Sequence, residues 1–408
     1  MDDGIVPVSH PTQKELKHVL CNAFGFGGND SSLLLSRLET ERLETRDGKT
    51  QDPIPCPMSP HPLFVLSAKQ ISIQQPLSEA WMLDPTEDKA PFTRSIDPSF
   101  KEYVSPIEAR RMGKILKRAI ATSKEALKAA GLDSVDAIIT GTGYGCIENT
   151  EFFLDALSTE GEQLLKPTYF MQSTHNTISS LVAIQTKNHG YNVTYAHKGI
   201  SFESALQDAW LQLRLGIINT ALVGGHDEMT ETFHHILKKG GVMGQDDERC
   251  GEAAVSVVLS RHCKEAQNSH PELQPLCKLI GFKMLHQPSM DTLKMAFDQM
   301  LRFAGKSLDD IDFILTGISG NHKNDQAYLD ETRTLFGDTP LLKYKHLFGE
   351  SFTASGLGFY VAAHCLKAGR IPDALLVNRN DVRVKRPKCL LFYHRSDGNN
   401  VSLTLLEA

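Results

Sequence analysis

From His61 onward, short apolar runs that exit through glycine alternate with stretches whose apolar residues recur every three to four positions. "PLFVLSAKQIS" (62–72) reads as a strand, and "SPIEARRMGKILKRAIATSKEALKAAG" (105–131) as a helix with Ser105 as N-cap, Pro106 in the first turn and Glu108 completing a capping box. In that helix Ile107, Met112, Leu116, Ile120 and Leu127 share one face. "DAIITGTGYG" is a buried strand with a glycine turn, followed by a helix (175–190), the strand "YNVTYA", the helix "SFESALQDAWLQLRLG", and the strands "TALVGGHDEM" and "EAAVSVVLS". Near Pro275 the order starts again with "LCKLIGFKML", "MDTLKMAFDQMLRFAG", "DFILTGISG" and "ASGLGFYVAAHCLKAG". "ALLVNRN" and "CLLFYHRSDGNNVSLTLL" close the chain as strands. Apolar strands alternating with helices require a sheet covered on both faces. The two passes read as a degenerate duplication of one βαβ-rich unit.

The 408 residues carry a formal charge of -6 and 41% hydrophobic content, enough for an ample core. Mild acidity without a basic cluster argues against nucleic acid, and no apolar stretch reaches the ~18 residues of a membrane helix. The eight cysteines (21, 56, 146, 250, 263, 277, 365 and 389) make no CxxC or zinc spacing. Reduced thiols, no signal-peptide pattern, no metal and no cofactor are expected, hence a cytoplasmic protein.

One segment stands apart. "NAFGFGGNDSSLLLSR" (22–37) reads as strand, glycine turn, strand, and a lone hairpin of this size cannot bury enough surface to be stable in water. Residues 39–60, charged and then proline-rich, have a linker composition. The chain divides accordingly into residues 1–38, a linker 39–60, and two halves of one larger domain, 61–270 and 271–408.

The strand and glycine order of residues 60–408 resembles the β-ketoacyl synthases, condensing enzymes with the thiolase fold. The likeness is carried by "GTGYGCIENTEFF", "GIINTALVGGHDEM", "CGEAAVSVVLSR" and "KYKHLFGESFTASGLGFYVAAHCLKAGRIP". The resemblance implies a five-layered αβαβα domain with two pseudo-repeated halves. "NAFGFGGNDSSLLLSR" is similar to the C-terminal tail of a second such enzyme, and "MQSTHNTISSLVAI", with His175 and Asn176, resembles the divergent chain-length-factor-like branch.

The resemblance also names a catalytic cysteine and two histidines, and aligning without gaps puts these on Gly199, Thr316 and Glu350. A lysine is retained as Lys345 and an aspartate as Asp325, while Tyr328 replaces a glutamate. Ser201 and His197 are the available substitutes near the lost nucleophile. A serine without a paired base is a poor nucleophile, and an N-cap role for Ser201 is the plainer reading. For Glu350 the plainer reading is a buried pair with Lys345, and for "HHILKKGG" (234–241) a solvated helix end. His175 and Asn176 are expected to serve as a cap or an interface element.

The expected function is a synthase-like partner subunit, resembling a chain length factor, in fatty acid, polyketide or aryl polyene synthesis. It would form a heterodimer with an active synthase, or pair with itself, and meet acyl carrier protein. Two alternatives stand beside it: an acyltransferase using Ser201 and His197, and a noncatalytic scaffold for acyl carrier protein.

Overall fold

A computed structural model describes residues 18–24 and 30–36 by their backbone, and residues 61–162, 165–262, 274–378, 386–396 and 400–408 in full. The chain divides into two compact units, Met1–Pro57 and Met58–Ala408. In the first, β1 (His18–Phe24) pairs antiparallel with β2 (Asp30–Ser36), with His18 opposite Ser36 and Phe24 opposite Asp30. The glycine turn between them and the linker over 39–60 lie outside the described residues.

The second unit is built on one ten-stranded sheet among the described residues. Its first half holds β3 (Leu63–Ile71), β4 (Ala137–Gly141), β5 (Tyr191–Tyr195), β6 (Thr220–Asp227) and β7 (Ala253–Ser260). Its second half holds β8 (Cys277–Leu285), β9 (Phe313–Thr316), β10 (Leu341–Lys343), β11 (Cys389–Ser396) and β12 (Asn400–Glu407). Across the sheet the order is β10-β9-β11-β12-β8-β3-β7-β6-β4-β5. Within each half, the first strand is followed by the fifth, fourth, second and third. The directions repeat as well: β4 is parallel to β5 and β6, as β9 is to β10 and β11, and the remaining pairs are antiparallel. The halves join where β3 and β8, the two first strands, pair antiparallel. Topology therefore repeats where the sequence only hinted at it.

Alternating side chains explain the layers. Ile138, Leu222 and Val258 face outward, onto α2 (Lys114–Ala129) and α5 (Thr177–Thr186). Their neighbours Ile139, Val223 and Val257 face inward, onto α6 (Ser201–Leu215) and α11 (Ala354–Ala368). In the second half Ile314, Leu391 and Leu403 pack outward on α8 (Met290–Ala304) and α9 (His322–Phe336), while Leu315, Leu390 and Phe392 meet the same central helices α6 and α11. Helices, sheet half, central helix pair, sheet half and helices make the thiolase-like five-layered αβαβα fold. Apolarity all round lets α11 sit in the middle: Ala354 through Leu366 are all buried.

Three local expectations change. The helix proposed over 105–130 is broken at Gly113, which is extended (ψ 165°), so a short α1 (Pro106–Ala109) precedes α2. Ser105 does cap α1, but Ile107 falls out of register with the buried face and is 74% exposed. In "ALLVNRN", Asp373–Leu375 form a 3-10 turn and a single bridge at Leu376 replaces the strand, with residues 379–380 outside the description. The helices α3 (Ile147–Glu160), α4 (Pro167–Ser173), α9 and the short α10 (Lys345–Phe348) lie where no separate element had been drawn.

Candidate functional site

A cavity of about 210 Å³ is lined by residues that follow β5 and β9 and by the end of β11. Gly199, in the turn between β5 and α6, lines it together with Gly317, Ser319, Tyr328, Lys345, Glu350, His394 and Arg395. Val242, Met243 and Phe352 supply its apolar wall. Both halves of the fold thus contribute, and α6 is held close by Gly141, where a Cβ would come within 2.3 Å of the Ser201 carbonyl.

Three of the four positions singled out in the sequence line this cavity: Gly199, Lys345 and Glu350. Thr316 is at its edge but turned away, its hydroxyl donating to the Leu342 carbonyl at 2.8 Å. Lys345 and Glu350 form an ion pair, Nζ to Oε2 2.5 Å, with side chains 5% and 12% exposed. Burial opposes the lysine's charge, but the Glu350 carboxylate outweighs it and holds Lys345 above its ordinary pKa. Asp325 accepts from the Ser319 and Gly320 amides, both at 2.9 Å, and so fixes the turn after β9. Tyr328 accepts from the Arg395 amide at 2.7 Å, locking the β11–β12 hairpin to α9.

The substitutes are not placed for catalysis. The Ser201 hydroxyl is wholly buried, donates toward the carbonyls of Thr142 (2.9 Å) and Lys198 (2.7 Å), and accepts from the His197 amide at 2.8 Å. It occupies the first helical position and braces the turn, whereas Ile200 is the N-cap. The exposed His197 ring meets Ser204 at 3.2 Å, not Ser201, and neither residue lines the cavity. Among the described residues no cysteine lines it either. The described thiols, Cys146, Cys250, Cys277, Cys365 and Cys389, are all buried, and burial raises their pKa values, to about 12 for Cys365 and Cys389. Thiol nucleophilicity is suppressed at every one.

Sequence reasoning missed His394, which lines the cavity, and Glu203, buried against it. His394, on β11, donates its Nε2–H to the Gly199 carbonyl at 3.1 Å, and the Glu203 carboxyl of α6 lies 3.6 Å from the same nitrogen. Glu203 is 1% exposed, and burial pushes its pKa up to about 7. Burial and then the Lys345 charge push His394 down to about 3. A glutamate at the third position of an apolar helix, with its neighbours Phe202 and Ala205, was the available signal.

His175 and Asn176 are exposed at the start of α5, and Asn176 makes no side-chain cap. The segment 234–241 is mostly solvated, as His235, Ile236 and Lys238 to Gly241 are exposed around the end of α7 (Glu231–Lys239); Leu237 is buried and His234 stacks on Phe92 at 5.5 Å. Among the described residues no group of histidines, cysteines and carboxylates could hold a metal ion. None of the helices there is long and apolar enough to cross a membrane.

Comparison with known proteins agrees with this architecture. Residues 83–256 match the family model described as "Beta-ketoacyl synthase, N-terminal domain". Solved structures with the same fold include the ishigamide ketosynthase/chain length factor (TM-score 0.69, 18% identity, 85% of this chain and 99% of that one). A β-ketoacyl synthase from Burkholderia phymatum STM815 superposes with TM-score 0.71 at 14% identity, over 85% of this chain and 99% of that one. A type II polyketide ketosynthase, solved with its acyl-carrier protein and bound to the hexaketide, gives 0.70 at 14% identity over 86% and 100%. No curated protein matches. The chain therefore resembles the β-ketoacyl synthases in its sequence as well as its fold, which is that of the thiolase-like ketosynthases.

Proposed function

We propose that this chain is a chain-length-factor-like partner subunit of a β-ketoacyl synthase, without a condensing site of its own. The observation that carries the reading is the cavity itself. It lies where the two halves meet, and it presents Gly199 and a closed Lys345–Glu350 pair but, among the described residues, no cysteine. Condensation needs a thiolate near an oxyanion hole and a base or donor for decarboxylation. Glu350 offers a carboxylate instead, which repels a malonyl carboxylate. Ser201 and His197, engaged elsewhere, give the acyltransferase alternative no support.

A partner role is supported by the edge of the sheet. β5 is its terminal strand, and Tyr191 on it is 41% exposed. Nearby helices expose Phe152 (48%), Phe170 (57%), Met171 (68%) and Ile184 (65%), side chains of the kind an interaction surface would cover. Pairing there with an active synthase would cover it, and acyl carrier protein would deliver substrate to the complex, in fatty acid, polyketide or aryl polyene assembly. Residues 1–38 are read as a remnant of a second synthase's C-terminal tail, and the protein as cytoplasmic.

The test is reconstitution. The purified chain, given malonyl- and acyl-carrier-protein thioesters, should yield no ketoacyl product; product from this chain alone overturns the reading. Co-expressed with an intact synthase, it should co-purify and alter product chain length. Binding of carrier protein without any synthase partner would favour the scaffold alternative instead.

A further inference from the structure

One cavity-lining residue, His394, makes a buried contact that the proposed function does not use and that does not depend on it. Glu203 belongs to α6 in the first half of the fold, His394 to β11 in the second. Both side chains are almost wholly buried, at 2% and 5% exposure, with Nε2 and Oε1 3.6 Å apart. The imidazole's Nε2 faces the Gly199 carbonyl at 3.1 Å, and because a carbonyl only accepts, that nitrogen carries the proton. His394 thus pins the turn Lys198–Ile200, which includes Lys198 at φ 48°.

The surroundings fix the charge state. Glu203 is faced by Lys345 of α10, the hydroxyls of Ser355 on α11 and Ser402 on β12, and His394. His394 is faced by the Lys345 ammonium and, at 6.1 Å, by the Phe392 ring. Lys345 is already matched to Glu350. A second full ion pair at this depth would have to repay the desolvation of two more charges, whereas a neutral carboxyl and a neutral imidazole need repay neither.

We propose that Glu203 and His394 act as a one-proton latch between the two halves, with the proton held on Glu203 and the neutral imidazole pinning the turn that lines the cavity. In an unfolded chain at pH 5 to 6 the histidine holds the proton and the glutamate has lost it. Folding therefore moves the proton from the imidazole to the carboxyl with no net uptake, and the pair adds no pH dependence to stability between about 4.5 and 6.5. Above that window the carboxyl ionises in its buried setting and the latch weakens.

The test compares the full-length protein with Glu203→Gln and His394→Gln by urea denaturation from pH 5 to 8. Glu203→Gln removes a group whose folded pKa is raised, so it gains on the wild type as pH rises, approaching tenfold per pH unit in the unfolding equilibrium. His394→Gln removes a group whose folded pKa is lowered, so it gains as pH falls, with the opposite slope. Equal slopes in all three proteins overturn the proposal. Should either variant fail to fold, ¹⁵N spectra of the wild-type histidines decide: His394 as a non-titrating Nε2–H tautomer from pH 5 to 7 supports the latch, and titration near pH 6.5 refutes it.

Discussion

Gly199 and Ser396 touch across the two halves of the fold: a Cβ added to Gly199 would lie 2.9 Å from the Cβ of Ser396. Contact that close leaves no room for a side chain at this point of the cavity. Gly199→Ala should therefore destabilise the protein by about 1–3 kcal/mol, the usual scale of overpacking. Adding Ser396→Gly should recover most of the loss. Urea denaturation of the two single variants and the double variant measures both effects. Gly199→Cys should remain without condensing activity, because a thiol alone restores neither the room nor a base.

Lys345 and Glu350 form the best-buried ion pair in the cavity. Removing one partner leaves the other charged and desolvated, so Lys345→Met or Glu350→Gln should each cost about 3–5 kcal/mol. The double variant should cost clearly less than the sum of the two, and the coupling is read from the double-mutant cycle.

At the end of β6, Asp227 accepts from the Gly143 amide at 2.8 Å and Glu228 from the Glu148 amide at 2.9 Å. Burial raises their pKa values to about 6 and about 8. A carboxyl that is harder to ionise when folded gives stability that is full below its unfolded pKa, about 4.5 for glutamate, and is lost as pH rises through the folded value. Their contribution should thus decline as pH rises from about 4.5 and level off above about 8. Glu228→Gln should flatten that decline, as seen in the denaturation midpoint from pH 5 to 9.

Tyr328 closes the β11–β12 hairpin against α9 through the Arg395 amide, 2.7 Å from its hydroxyl. Tyr328→Phe strands that amide and should cost about 1–3 kcal/mol. Amide hydrogen exchange should rise first at Arg395 and its neighbours.

Much of the fold was legible because it rests on local patterns. Strands with apolar residues on both faces, glycine exits and helices between them specify a doubly covered sheet, and the repeated order exposes the duplication. Boundaries failed where one residue outweighed the pattern. Gly113 broke a helix whose apolar spacing ran on through it, and Leu376 was held by one bridge to Leu342 rather than by a ladder. The helices at 147–160 and 322–336 were obscured because their exposed faces dilute the apolar period.

For the site, the sequence by itself determined composition: no cysteine near Gly199, no histidine at Thr316 or Glu350, and Lys345 retained five residues before Glu350. Spacing along the chain put Lys345 and Glu350 within reach of one another. Only the tertiary structure decided that Gly199 faces Ser396, that Thr316 turns toward β10, and that His394 meets Glu203 from 191 residues away. Those relations depend on how the second half packs on the first across α6 and α11. No local propensity encodes such packing, because its energy comes from surfaces that touch only once both halves have folded.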